Sequence, residues 1–198
     1  MILDTIEPNI SIPLTIVGNE SLIGPRLGGS PPVGISSPSG RLRYFLTVPV
    51  DNETGIDVSL FIDYNPSFSE RRKLIIGNSP WLEIVTHPSV SRDTSRLSEA
   101  MFGPNKFVLG EAQSDVDDDE LDSGNKIGGR AYLMNPRQSI LDSITGLEGN
   151  GGRHFLQLEF PTDDQADVDI DWPFGDSLFN LYLESNSNGY RWSYIWQA

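Results

Sequence analysis

One order of residues occurs twice in this chain, and it restricts the fold more than anything else in the sequence. Arg26-Leu27-Gly28-Gly29 is followed by Tyr44-Phe45-Leu46 and then by Ser59-Leu60-Phe61. Lys126-Ile127-Gly128-Gly129 is followed by His154-Phe155-Leu156-Gln157-Leu158. After that unit, Trp172-Pro173-Phe174-Gly175-Asp176 turns into Ser177-Leu178-Phe179. A glycine pair, which tolerates positive φ and close backbone approach, opens each unit, and short apolar strands follow. Two copies predict an internal duplication rather than a solenoid.

The pattern between these landmarks is mostly of period two. Residues 10–17 alternate as a strand, and Pro13 makes it an edge or entry strand. Residues 24–40, rich in Gly, Pro and Ser, read as a loop laid over the sheet. Residues 41–50 place Leu42, Tyr44, Leu46, Val48 and Val50 on one face, and 56–64 return antiparallel after a turn at 51–55. Two shorter strands, 73–76 and 81–86, flank a turn at Asn78-Ser79-Pro80. A brief apolar run follows at 107–109. Strands are also expected at 154–160, 177–184 and 190–197. Asn135 as cap, Pro136 at the first helical position and the Ile140, Leu141, Ile144 stripe predict a helix over 135–144. A second short helix is expected at 93–101. The expectation is an α+β, β-rich fold: two-lobed antiparallel sheets from an internal duplication, with one or two short helices. An N-terminal half (1–110), an acidic linker (111–125) and a C-terminal half (126–198) form one compact domain.

With 198 residues, the chain can bury a core without covalent staples, and it has no cysteine to make any. That absence excludes disulfides, thiolate metal sites and thiol nucleophiles, and fits a reducing compartment. The first 14 residues lack a basic start and an unbroken apolar run, so no signal peptide is expected. No stretch reaches the roughly 20 apolar residues of a bilayer span, and a cytoplasmic location follows as the expectation. The formal charge of −14 argues against nucleic acid and anionic membrane as partners and permits a basic protein, though ordinary solubility or a salt-rich environment accounts for it first.

The Lys126-Ile127-Gly128-Gly129 signature, the Phe155-Leu156-Gln157-Leu158 strand and the element of Trp172, Gly175 and Asp176 resemble the YwqG-like family, a bacterial domain of unknown function. The apolar strand 178–183 and the closing strand 192–197 are similar to that family's, and Arg26 to Pro32 resembles its earlier Gly-Gly element. The chain departs from the family at Asn125, where members often carry His, and at Pro173 and Phe174, which separate Trp172 from the Gly-Asp pair. The resemblance implies a β-rich two-lobed scaffold and no catalytic residues. Some relatives resemble components of toxin–immunity neighbourhoods.

Two carboxylate groups are candidates for cation binding. Asp115, Asp117, Asp119 and Asp122 fail the EF-hand pattern, because its sixth and twelfth positions hold Glu120 and Lys126. The stretch reads as a solvated linker. Asp169 and Asp171 are the metal candidates of the second group, and with Asp176 they could serve a hydrolase. Loop and turn chemistry is the reading that comes first, since Asp prefers turns on backbone grounds alone. His87 and His154 lie on unrelated segments and show no zinc spacing. No nucleophile elbow and no phosphate loop occur. Gly128, Gly129, Trp172, Asp176, Trp192 and Trp196 are the candidate binding residues. The stripe Tyr190, Trp192, Tyr194, Trp196 reads as sheet packing before it reads as a platform. The sequence therefore points to a non-enzymatic, acidic binding protein without cofactor, an immunity or antitoxin-type inhibitor of a basic partner. A metal-dependent hydrolase and a scaffolding module using the aromatic stripe are the alternatives.

Overall fold

The computed structural model describes residues 9–17, 24–51, 53–63, 73–96, 103–115, 124–159, 177–187 and 189–197. Its strands are β1 (Ile10–Val17), β2 (Arg26–Leu27), β3 (Arg43–Asp51), β4 (Ile56–Ile62), β5 (Leu74–Ile76), β6 (Leu82–Pro88) and β7 (Asn105–Leu109). They continue with β8 (Gln113–Ser114), β9 (Lys126–Gly128), β10 (Gly152–Leu158), β11 (Leu178–Asn186) and β12 (Gly189–Gln197). One helix, α1 (Gln138–Gly149), lies between β9 and β10. The fold is β-rich, as the alternating pattern predicts.

All strands join one antiparallel sheet in the order β5-β12-β11-β10-β9-β1-β7-β2-β3-β4-β6, with β8 added beside β1. Ten strand spacings would hold the two ends about 48 Å apart in a flat sheet. Yet β5 and β6, at opposite ends, are joined by residues 77–81 alone, a link that reaches about 20 Å at most. The sheet must therefore curl until its ends meet. Across the junction Trp192 Nε1 on β12 donates to Thr86 Oγ1 on β6 at 2.9 Å. Trp81, just before β6, packs its ring 5.3 Å from those of both Tyr194 and Trp196. The inner face carries the main core, with Leu27, Leu46, Leu60, Ile127, Leu156 and Leu181 all buried.

Several expectations need correction. Pro13 lies in a central strand, because β1 pairs β9 on one flank and β7 and β8 on the other. Its carbonyl accepts from Gly110 N, so its ring nitrogen faces the gap between β7 and β8, where no ladder bond is lost. The strands on either side of the 78–80 turn are present as expected, and they take different partners, β5 pairing β12 and β6 pairing β4. The 24–40 loop contains β2, which pairs β3 and β7. Tyr44 does not share a face with Leu46, because the register shifts between them and Phe45 is the bulged residue. A shift at the corresponding place on β10, between His154 and Leu156, leaves Phe155 bulged.

The helix starts later than 135 and runs further than 144. Asn135 takes a left-handed φ of 42°, Arg137 is extended, and no side chain caps the first turn. Ile140, Ile144 and Leu147 then repeat at helical spacing and pack on Tyr182 and Ile195 of the outer sheet face. At 93–101 the described part, up to Arg96, forms only a turn, in which Asp93 Oδ1 accepts from Ser95. Asp115 is no solvated linker residue: its carboxylate lies 3.5 Å from Lys126 Nζ and both side chains are 4% exposed. The rest of the acidic run, 116–122, lies outside the described residues.

Candidate functional site

The outer face of the curled sheet carries two layers of buried polar side chains, one on each flank. Period-two alternation assigns these positions to solvent, but chain folds over both. On the β2–β6 flank the cover is residues 30–40 and 88–96, which bond to each other through Val33 N to Ser91 O and Asp93 N to Pro31 O. Glu83 clasps the first of these, accepting from Ser37 Oγ at 2.5 Å and from Ser39 N. On the β9–β12 flank the cover is α1 and the segment leading into it.

Beneath the first cover a chain of hydrogen bonds runs from Tyr44 Oη to Thr47 Oγ1 (2.8 Å), to Ser59 Oγ (2.7 Å) and to His87 Nε2 (2.8 Å). His87 Nδ1 lies 2.7 Å from Pro88 O, which only accepts, so Nδ1 carries the proton. Burial pushes the His87 pKa below its ordinary value, against the Pro88 bond and Asp57, and keeps the ring neutral. Nε2 must then accept from Ser59, which accepts from Thr47, which accepts from Tyr44. Burial raises the Tyr44 pKa, with Arg26 opposing, so the phenol stays protonated and starts the chain. Ser59 and His87 thus have the geometry of a nucleophile and its oriented base. Ser59, however, has no exposed surface, so the folded chain offers a substrate no approach to it.

The second layer holds a strap of main chain. Tyr132 N donates to Gln157 Oε1 (2.8 Å), Tyr132 O accepts from Asn180 Nδ2 (3.1 Å), and Met134 N donates to Gln197 Oε1 (3.2 Å). Gln157 Nε2 also reaches Gly124 O at 2.9 Å. His154 stands between Gly128 O and Asn180 Oδ1, both acceptors, at 2.9 and 3.1 Å. Burial first, and then the Lys126 charge, lowers its pKa to about 4 and outweighs these two contacts. The neutral ring has one N–H for two acceptors. Next to it in register, Tyr182 Oη and Ser193 Oγ are buried without a hydrogen-bond partner among the described residues. Burial, with the Glu148 charge adding, raises the Tyr182 pKa strongly.

Among the described residues, the sequence candidates Gly128 and Gly129 lie apart from Trp192 and Trp196 in the fold. Gly128 and Gly129 form the turn after β9, with φ of 74° and 66°. A Cβ on Gly129 would collide with the Asp115 carboxylate, which accepts from Ser11 Oγ and Arg130 N. Trp192 and Trp196 point into the curled sheet and are 5% and 1% exposed, so the stripe they belong to is core and forms no open platform. Trp172, Asp176, Asp169 and Asp171 lie outside the described residues. Among the described residues no three His, Cys, Asp or Glu side chains gather to hold a metal. No helix among them is long and apolar enough to cross a membrane. Sequence reasoning missed Thr47, Ser59, Gln157, Asn180 and Gln197. Their only signal is an uncharged polar residue at alternate positions of an otherwise apolar strand. In comparisons with known proteins the chain matches no family model, no curated protein and no solved structure.

Proposed function

We propose that the protein is a non-enzymatic acidic binding module that docks on a basic protein partner, as an immunity or antitoxin-type inhibitor does. The observation that carries this reading is the placement of charge. Residues 116–123 and 160–176 hold eleven of the 28 acidic residues and no Lys or Arg. Three strand ends from which these stretches depart lie together: the start of β9, the end of β10 and the start of β11. Asn125 Oδ1 accepts from Glu159 N at 3.0 Å, and Leu158 pairs Phe179. Acidic stretches that leave the sheet from neighbouring strand ends favour a basic partner by long-range attraction and disfavour nucleic acid. The burial of Ser59 and His87 supports binding over catalysis.

The same reading takes the two flanks as copies of one unit, a lobe each. Leu27 pairs Leu46 as Ile127 pairs Leu156, and Arg26 pairs Thr47 as Lys126 pairs Gln157. With the bulges at Phe45 and Phe155, these registers support duplication and a relationship to the YwqG-like family. The location proposed is the cytoplasm. Co-expression with each product of the adjacent genes, followed by pull-down across a salt series, tests the function. A stoichiometric complex that weakens as salt rises is expected. No complex at any salt overturns the reading.

A further inference from the structure

We propose that the outer face of β10, β11 and β12 reads extended main chain, and that residues 130–134 occupy it as a strap which an extended segment of a partner replaces. The inference rests on the side-chain geometry of this face and is independent of the acidic stretches. The strap lies outside any strand, and side chains hold its backbone. Gln157 and Asn180 engage both the N–H and the C=O of Tyr132, and Gln197 takes the N–H two residues on. That spacing matches one side of an extended peptide, and an amide clamp of this kind fits any residue that keeps its N–H.

The polar groups of this face also exceed what the strap uses. Tyr182 Oη and Ser193 Oγ are more than nine-tenths buried beside the clamp and have no partner among the described residues, in a setting where buried hydroxyls almost always find one. The strap side chains Ala131 and Leu133 rest, half-buried, on the cluster under α1. The replacing segment therefore has small or aliphatic residues at those two places and no proline between them.

The test uses the full chain. Tyr132→Pro removes the N–H that Gln157 accepts and releases the strap. A capped peptide of residues 129–135 is then titrated calorimetrically into this variant and into the wild type. One peptide is expected to bind per variant chain, about tenfold or more tighter than to wild type, where the resident strap competes. The same peptide N-methylated at the Tyr132 position is expected not to bind. No binding to the folded variant, equal binding to both proteins, or binding of the methylated peptide overturns the proposal. Should Tyr132→Pro fail to fold, amide exchange in the wild type decides. The Tyr132 and Met134 amides are expected to exchange by local opening about a hundredfold or more faster than those of β11 and β12. Exchange of these two only through global unfolding overturns the proposal.

Discussion

Tyr44 and Tyr182 are both fully buried on the outer face, yet loss of the hydroxyl should act in opposite directions. Tyr44→Phe removes the first donor of the chain that ends on His87, and should cost about 1–2 kcal/mol in urea unfolding. Tyr182→Phe removes a hydroxyl that has no partner among the described residues, and should leave stability unchanged or raise it by about 1 kcal/mol. His154 supplies a pH prediction. Its folded pKa, about 4, lies below the ordinary 6.5. The folded state therefore binds fewer protons than the unfolded state between those values. Its contribution is complete above pH 6.5 and is lost as the pH falls towards 4, a change of roughly 3 kcal/mol. Denaturant midpoints at pH 7 and pH 4.5 should differ less in His154→Gln than in the wild type. The sequence leaves His154 open between a surface position and a satisfied interior. The choice depends on what covers the strand, and period-two alternation is silent about that.

At the scale of elements, glycine substitutions separate the turns from the helix. Gly129→Ala forces a side chain into left-handed backbone and against the Asp115 carboxylate, so a loss of about 2–4 kcal/mol is expected in thermal or urea unfolding. Gly146→Ala lies inside α1 with nothing within 4 Å of the new methyl, and should gain about 0.5–1 kcal/mol. The glycine pair was legible as a special turn from sequence. Its occupant was not, because Asp115 sits in an acidic run whose local composition reads as solvated. The start of α1 was misplaced for a related reason. Asn-Pro before an apolar stripe fits a helix cap, but Asn135 also tolerates the left-handed conformation that the strap needs there.

For the whole molecule, the closure of the sheet depends on a few aromatic contacts between its ends. Trp81→Ala should cost about 3–5 kcal/mol, since it opens a cavity against Tyr194 and Trp196 where β5, β6 and β12 converge. Thr86→Val keeps the volume but strands the Trp192 N–H, and should cost about 1–3 kcal/mol in the same unfolding assay. The sequence by itself determined the β-rich class, most strand positions, the paired glycine turns and the acidic character. Each of these is set by residues that are neighbours along the chain, through alternation, turn chemistry and net charge. Tertiary structure alone decided that β1 lies at the centre despite Pro13, and that β5 and β6 stand at opposite ends of one curled sheet. It also decided that Ser59, His87, His154 and Asn180 are covered rather than solvated. Strand order and burial arise from pairings between residues far apart in the chain, such as Ile12 with Ile127 and Tyr194 with Ile75, which no local pattern encodes.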